Sequence, residues 1–295
     1  MIEYQHKGMT VASLHDKRTG SFQYIVVDDA TASAAIIDPV LDYDPRAGAT
    51  STTNADILLE YVRSKNLRVE WLLDTHPHAD HFSAAPYLAG KTGARTAIGE
   101  KVVGVQKLWQ DIYCLDDLPT DGSQWDRLFA DGDRFQIGGL EARVMLSPGH
   151  TLASISYIIG DAAFVHDTLM VPDSGTSRAD FPGGDATALW HSVRAILDLA
   201  PETATYVGHD YGKDGREVIG RSTVEEQRRS NIHVHDGINQ AEFVGTRCER
   251  DATLPLPDIM LAALQVNIRG GRLPDPEGCG TAFLKIPLNR FGSGQ

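Results

Sequence analysis

The first forty residues alternate apolar and polar positions, with turn-forming residues between the runs. Apolar side chains at every second position predict β-strands with one buried face. We expect these strands, separated by hairpin-type connections at 16–20 and 28–29, to cover 9–14, 22–27 and 33–37. The chain is therefore expected to begin with antiparallel sheet.

The middle of the chain changes between helical spacing and strand-like runs. After a loop rich in Gly, Ala, Ser, Thr and Asp, Asn54 is expected to cap a helix, and a buried strand follows at 69–73. Further helices are expected at about 81–92, 100–109 and 187–199. Further strands are expected at 95–98, 134–137, 140–146, 154–159, 162–165 and 205–207, with 116–133 irregular.

Mixed strands followed by a helix, and then strands and a helix again, fit a four-layer α/β/β/α sandwich. In this fold two sheets pack face to face and the helices lie outside. Helices at about 224–231, 240–250 and 257–265 and a Pro/Gly-rich tail form a short helical C-terminal extension at about 213–295. No composition break marks a linker, so we expect 1–295 to be one domain with its core at about 10–212.

Four side chains that can bind a metal fall within six residues directly after the strand at 69–73. They are His76, His78, Asp80 and His81. A turn between a strand and a helix is a usual place for chemistry, because the scaffold on either side is rigid. Neutral imidazole and carboxylate at this density suit Zn, Fe or Mn. A chance cluster of histidines has no structural reason to form here.

Three more candidate ligands lie at the ends of later predicted strands. His150, Asp167 and His209 each have small or turn-forming neighbours. Side chains from separate strand ends can converge at one edge of a sheet. Gly149 and Gly208 allow the close backbone approach that a crowded metal pocket requires. Together with the turn, the sequence offers seven candidate ligands.

Composition describes an ordinary globular protein and narrows the partners. The chain has 295 residues, 42% hydrophobic and 23% charged, and a net charge of −13. This charge argues against binding to nucleic acid or to an anionic membrane. No run of 18 apolar residues and no signal peptide is visible, and three distant cysteines form no CxxC pair. We therefore expect a reduced, cytoplasmic protein.

The motifs at 75–81, 148–151, 166–168 and 208–211 resemble the metallo-β-lactamase superfamily, in its glyoxalase-II-like branch. The resemblance to the superfamily covers about 10–212. Within the branch the chain looks most like the persulfide dioxygenases, also called sulfur dioxygenases. The residues that carry this closer resemblance are 173–184, 222–227 with Asn231, and 264–269.

The resemblance implies one Fe(II) per chain, held by His76, His150 and Asp167. Two imidazoles and one carboxylate on one face are the arrangement typical of non-haem iron oxygenases. The implied reaction oxidises a low-molecular-weight thiol persulfide, above all glutathione persulfide, with O₂ and water to sulfite and free thiol. The remaining four candidates would then orient the ligands and tune the metal; they are His78, Asp80, His81 and His209.

The same seven positions hold two metals in the hydrolase relatives, so the ligand set alone leaves a second reading open. There, two Zn²⁺ ions would be bridged by Asp167, and the protein would be a glyoxalase II-type thioester hydrolase. One ion would take His76, His78 and His150, and the other Asp80, His81 and His209. A binding or scaffold protein without catalysis is less expected, because no ligand position has been replaced.

Substrate contacts are implied by the same resemblance. They are Thr151, Arg178, Asp180, Tyr211 and His233. Two positions depart from the animal members, where a Cys stands in place of Thr176 and an Arg in place of His233. The carrier thiol therefore stays open between glutathione, coenzyme A and other small thiols. A homodimer is expected by resemblance alone.

Overall fold

The computed structural model describes residues 1–291, which form sixteen strands and seven helices. In chain order the strands are β1 (Ile2–His6), β2 (Met9–His15), β3 (Phe22–Asp28), β4 (Ser33–Ile37), β5 (Val40–Asp44), β6 (Ala49–Ser51), β7 (Arg68–Leu73), β8 (Phe82–Ser83), β9 (Arg95–Gly99), β10 (Arg127–Phe129), β11 (Arg134–Ile137), β12 (Leu140–Leu146), β13 (Ile155–Ile159), β14 (Ala162–His166), β15 (Ala204–Val207) and β16 (Arg221–Thr223). The helices are α1 (Thr53–Ser64), α2 (Ala85–Thr92), α3 (Val102–Tyr113), α4 (Ala186–Leu197), α5 (Val224–Ser230), α6 (Gln240–Asp251) and α7 (Met260–Asn267).

The strands form two large sheets and one small one. The first large sheet has the order β1-β2-β3-β4-β7-β9-β10, antiparallel as far as β4 and parallel from β4 to β10. The second has the order β11-β12-β13-β14-β15-β16, in which only β14 and β15 pair in parallel. The small sheet, β6-β5-β8, lies beside the turn that follows β7.

The main core lies between the two large sheets. Its buried side chains come from both of them, among them Trp71, Phe129, Tyr157, Phe164 and Tyr206. A second apolar cluster joins the outer face of the first sheet to α1 and α2, and a third joins the second sheet to α4, α5 and α6. The expected four-layer α/β/β/α sandwich is therefore confirmed.

The C-terminal helices begin where the local sequence favours them. Both α5 and α6 carry a capping box, in which Thr223 pairs with Glu226 and Asn239 pairs with Glu242. Each box satisfies backbone N–H groups that otherwise have no partner in the first turn.

No helix within residues 1–291 is long and apolar enough to cross a membrane.

Several predicted boundaries are wrong, and most of the errors involve short strands. The segment expected to be a loop before α1 contains β5 and β6, and the region expected to be irregular contains β10. Helix α2 begins at Ala85 rather than near residue 81, because Phe82 and Ser83 pair with β5. Thr52, not Asn54, precedes α1, since Asn54 bonds to Asp42 through its backbone and side-chain nitrogens.

Candidate metal centre

The carboxyl ends of several strands meet at one edge of the sandwich. In the first sheet, β4 and β7 run parallel and deliver Asp38 and the turn from Thr75 to His81. In the second sheet, β12, β14 and β15 all run in one direction, because β13 is antiparallel to both of its neighbours. Two backbone bonds join the sheets here, from Ile155 N to Thr75 O (3.0 Å) and from Phe22 N to Gly208 O (2.8 Å).

Three histidines surround one oxygen of Asp167. The Nε2 atoms of His76, His150 and His209 lie 3.8, 3.6 and 3.4 Å from Asp167 Oδ2. All four residues are at most 7% exposed. The structure therefore brings together side chains from β7, β12, β14 and β15 that are up to 133 residues apart, counted from 76 to 209.

The predicted ligands fall into separate groups. Donor atoms of His76, His150 and Asp167 all lie within 4.8 Å of one another, and so do those of His78, Asp80 and His81. A third group shares His78 with two buried carboxylates of Asp38 and Asp74. Within the described residues, His209 belongs to none of these groups, although its Nε2 lies 3.5 Å from Asp80 Oδ2.

Asp38 orients two of the predicted ligands. Its carboxylate accepts hydrogen bonds from His78 Nε2 (2.9 Å), Thr75 N (2.8 Å) and Thr75 Oγ1 (2.8 Å). Because the Thr75 hydroxyl donates to Asp38, its oxygen accepts from His76 Nδ1 at 3.0 Å. In the neutral imidazoles, His76 Nε2 and His78 Nδ1 are then the nitrogens that carry lone pairs. One buried carboxylate thus sets the tautomers of both histidines.

Other ligands are held in a similar way. His150 Nδ1 donates to the carbonyl oxygen of Arg178 at 2.8 Å, which leaves its Nε2 facing Asp167. Asp80 Oδ2 accepts from Ser21 Oγ at 2.7 Å and lies 2.9 Å from His81 Nδ1. The predicted ligands are therefore oriented from three directions, by Asp38 after β4, by the hairpin before β3 and by the loop after Asp167.

Buried polar atoms without partners mark the space that a cation would fill. Four such atoms belong to predicted ligands, namely His76 Nε2, His78 Nδ1, His81 Nε2 and Asp167 Oδ1. Leaving a buried polar group unpaired is costly, so such groups are rare unless a ligand satisfies them. Imidazole nitrogens and carboxylate oxygens in this set fit a transition-metal ion.

Two predicted ligands, His76 and Asp167, are in protonation states that suit a metal; at His78 and His209 burial is outweighed by nearby carboxylates, which raise their pKa values to about 9 and about 10. Burial, together with the neighbouring histidines, holds the pKa of His76 well below its usual value, so its imidazole is neutral. Burial raises the pKa of Asp167, but His209 and His150 outweigh that effect and hold the pKa below its usual value. A neutral imidazole and an ionised carboxylate are the forms that bind metals.

Two glycines are needed where the strands end. A Cβ on Gly208 would lie 2.3 Å from Asp167 Oδ1, and one on Gly149 would lie 2.3 Å from the backbone of Leu189. Gly149 also has φ +132°, which other residues rarely adopt. The close backbone approach predicted at these two positions is confirmed.

A cavity of about 900 Å³ opens over several of the predicted metal ligands. Asp80, His150, Asp167 and His209 form part of its wall, with Phe181 beside His150 at a ring distance of 5.4 Å. Its other walls come from the hairpin before β3, the loop after β14 and the segment between α6 and α7. Five basic side chains line it: Arg18, Arg178, Lys213, Arg247 and Arg250.

Most of these basic groups are already engaged. Arg178 pairs with Asp180 through two bonds of 2.6 and 2.7 Å, and it also donates to the carbonyl oxygens of Leu254 and Pro255. Arg247 is buried and bonds to Asp251 and Thr176, while Lys213 donates to a backbone carbonyl. Arg250 is exposed, and its guanidinium has no hydrogen bond or ion pair among residues 1–291.

Only some of the predicted substrate residues line the cavity. Arg178 and Tyr211 line it, and Tyr211 is 69% exposed with its ring stacked on His209. Thr151 Oγ1 bonds to Ser154, and His233 Nδ1 accepts from the backbone N of Thr176 at 3.0 Å. Their contribution to substrate binding, like that of Asp180, stays a prediction.

Three residues of the site were not found from the sequence. Asp38 follows a buried strand and precedes a proline, a signal that we interpreted only as the strand's end. Asn267 lies in a motif that had no assigned role, and it donates to the carbonyl oxygens of His78 and His81. Ser21, which bonds to Asp80, had no sequence signal at all.

Comparisons with known proteins agree with this geometry. The family model for the metallo-beta-lactamase superfamily matches residues 17–209. A "Beta-lactamase hydrolase-like protein" of Agrobacterium fabrum is 61% identical over 95% of this chain and 64% of its own length. The chain thus spans about 64% of the length of the curated relatives of this kind that it matches.

Other relatives are similar over most of both chains. "Glyoxylase B2" of Dictyostelium discoideum is 48% identical over 90% of this chain and 92% of its own length. The human mitochondrial persulfide dioxygenase ETHE1 is 29% identical over 85% and 84%. The crystal structure of ETHE1 from Myxococcus xanthus superposes with a TM-score of 0.71 at 31% identity, covering 89% of this chain and 99% of that one.

Proposed function

Because the chain belongs to the metallo-beta-lactamase superfamily, we propose that this metal-dependent enzyme is an Fe(II)-dependent persulfide dioxygenase. Its substrate is a low-molecular-weight thiol persulfide, with glutathione as the first candidate for the carrier. The persulfide, O₂ and water give the free thiol, sulfite and two protons. The similarity to ETHE1 proteins in sequence and structure supports this assignment.

The observation that carries the proposal is the group formed by His76, His150 and Asp167. Their donor atoms lie within 4.8 Å of one another, which is the two-histidine, one-carboxylate set of non-haem iron oxygenases. Ferrous iron held by these residues would supply the redox chemistry, which the protein itself cannot provide. His209 is not one of the three members of this group, although its Nε2 lies 3.5 Å from Asp80 Oδ2 and 3.4 Å from Asp167 Oδ2.

The protein's own side chains orient the ligands and shape the cavity. Asp38 and the Arg178 carbonyl fix the imidazoles of His76, His78 and His150. Phe181 packs against His150 and gives the cavity an apolar wall on that side. The reacting sulfur would lie against this wall, with the rest of its carrier extending toward the cavity mouth.

The cavity is large enough for the carrier as well as the persulfide sulfur. At about 900 Å³ it is within the usual range for small-molecule sites. Arg250 at its wall has no partner in the described chain and is available to an anionic group of the carrier, such as a carboxylate.

Exposed Cys114, Cys248 and Cys279, all unpaired, fit the expected reducing cytoplasm.

A dinuclear thioester hydrolase is the second candidate. It is favoured by the group of His78, Asp80 and His81, which offers ligands beside the first group. The names of the relatives in Agrobacterium fabrum and Dictyostelium discoideum also point to hydrolase or glyoxalase-type enzymes.

Oxygen uptake separates the two candidates. Protein loaded anaerobically with Fe(II) is mixed with glutathione persulfide in an oxygen electrode, and sulfite is measured at the end. We expect one sulfite for each O₂ consumed, and no uptake with the Zn-loaded protein. Hydrolysis of S-lactoylglutathione by the Zn-loaded protein, with no oxygen uptake by the iron form, would replace the proposal with the hydrolase.

A further inference from the structure

The C-terminal end of α7 contacts the metal-binding turn. Asn267, its last residue, is 3% exposed. Its Nδ2 donates to the carbonyl oxygens of His78 and His81, at 2.7 Å each, and its Oδ1 accepts from Ser83 N at 2.8 Å. One side chain thus bonds to three backbone groups between His78 and Ser83, in the turn and in β8.

These bonds require a carboxamide. Two carbonyl oxygens need two donors on one atom, while the Ser83 N–H needs an acceptor close by. Among side chains, only Asn and Gln combine an NH₂ group with a carbonyl oxygen in this way. An Asp would direct an oxygen at two carbonyl oxygens, and a Gln would be one methylene too long for the same position.

The chain after Asn267 is held closely against the same turn. Gly271 has φ +79°, and a Cβ there would lie 2.5 Å from Ser83 O and 2.8 Å from Pro86 Cδ. Gln106 Nε2 donates to Ile268 O at 2.9 Å and anchors this segment to α3. These two contacts hold the chain directly after Asn267 in place.

We propose that Asn267 is a positioning residue for the metal site. By fixing the carbonyl groups of His78 and His81, it sets the direction in which both imidazoles leave the backbone. This gives the motif at 264–269 a physical role in the turn, although Asn267 and His78 are 189 residues apart in sequence. The inference rests on the proposed metal ligands, but it holds for either reaction.

A matched control lies on the same helix. Gln265 is 1% exposed and also makes three backbone bonds, from its Nε2 to Leu261 O (2.7 Å) and Lys285 O (2.6 Å), and from Lys285 N to its Oε1 (2.8 Å). None of these partners belongs to the turn. Asn267→Ala and Gln265→Ala therefore remove the same number of bonds from positions two residues apart on α7.

The test measures Co²⁺ binding by chelator competition, with thermal unfolding recorded for each metal-free variant. We expect Asn267→Ala to weaken Co²⁺ affinity by about 10- to 100-fold and to change the visible Co²⁺ spectrum. Gln265→Ala should lower the melting temperature while retaining the wild-type affinity and spectrum. If Asn267→Ala does not fold, Asn267→Ser takes its place with the same expectation.

Wild-type affinity and spectrum in the Asn267 variant, or an equal loss of affinity in both variants, would overturn the inference. Its failure is distinct from that of the proposed function. If Co²⁺ affinity depends on Asn267 but the wild-type protein does not oxidise persulfide, only the dioxygenase proposal is refuted. If the wild-type protein oxidises persulfide but the Asn267 variant binds Co²⁺ with wild-type affinity and spectrum, only the positioning role is refuted.

Discussion

Replacing Asp38 with alanine removes the carboxylate that orients two predicted ligands. Asp38 is 5% exposed and follows β4 with a φ of +50°. Its side chain accepts from Thr75 N, Thr75 Oγ1 and His78 Nε2 at 2.8 to 2.9 Å. The substitution leaves these three donors without a protein partner in a buried part of the molecule.

The expected loss of stability follows from those three unpaired donors. A buried polar group that loses its partner costs about 1–3 kcal/mol. Allowing for partial compensation by water, Asp38→Ala should lower the free energy of unfolding by about 3–5 kcal/mol. Asp38→Asn keeps the size, one acceptor oxygen and tolerance of positive φ, so it should cost only about 1–2 kcal/mol.

The charge of Asp38 also matters for the ligands. Burial raises the pKa of Asp38, but attraction to His78 and the hydrogen bonds from His78 and Thr75 hold it below its usual value. Asp38 is thus ionised at neutral pH and can only accept, so its hydrogen bond holds a proton on Nε2 of His78 and leaves Nδ1 as the nitrogen that can bind a metal. Both variants lose this control, and metal affinity should fall about 10- to 100-fold.

Asp28 provides the control for this experiment. It is 3% exposed, ends β3 at the opposite edge of the same sheet, and accepts from Thr31 Oγ1 (2.6 Å), Gly139 N (2.7 Å) and Ala30 N (3.1 Å). Denaturant unfolding of metal-free protein and chelator competition for the metal are measured for each variant. Asp28→Ala should lose comparable stability but no metal affinity. Unchanged metal affinity in both Asp38 variants would refute the reasoning.

Three further variants test other parts of the site. His209→Ala should retain one bound metal with reduced affinity in elemental analysis, since His209 lies outside the His76–His150–Asp167 group, and loss of all metal would make it a ligand. Gly208→Ala places a Cβ 2.3 Å from Asp167 Oδ1, so metal affinity should fall about tenfold; wild-type affinity would show that the carboxylate moves freely. Arg250→Ala should raise KM for an anionic persulfide by about tenfold with kcat unchanged, as expected for one lost charged hydrogen bond, and an equal effect with an uncharged persulfide would exclude this role.

Sequence periodicity was sufficient to predict the long helices and strands. The hairpin of β11 and β12 has the bounds predicted from its alternating pattern, since Gly138 and Gly139 interrupt it clearly. The seven candidate ligands were selected because each is a His or Asp that follows a predicted strand, and the structure brings these strand ends to one edge of the sandwich.

The remaining features depend on tertiary contacts that leave little trace in the local sequence. Strand β8 has only two residues, and it exists because β5 pairs with it. Asp38 acts on the turn because β4 and β7 are neighbours, a pairing that no periodicity reveals. Asn267 reaches His78 across 189 residues, so its role becomes visible only in the folded chain.

Anomalous diffraction from crystals of the iron-loaded protein tests the central claim most directly. Data collected on both sides of the iron absorption edge locate each bound ion and its ligands. We predict one iron per chain, bound by His76 Nε2, His150 Nε2 and Asp167. Two ions bridged by Asp167, with Asp80, His81 and His209 on the second, would contradict the account and support the hydrolase.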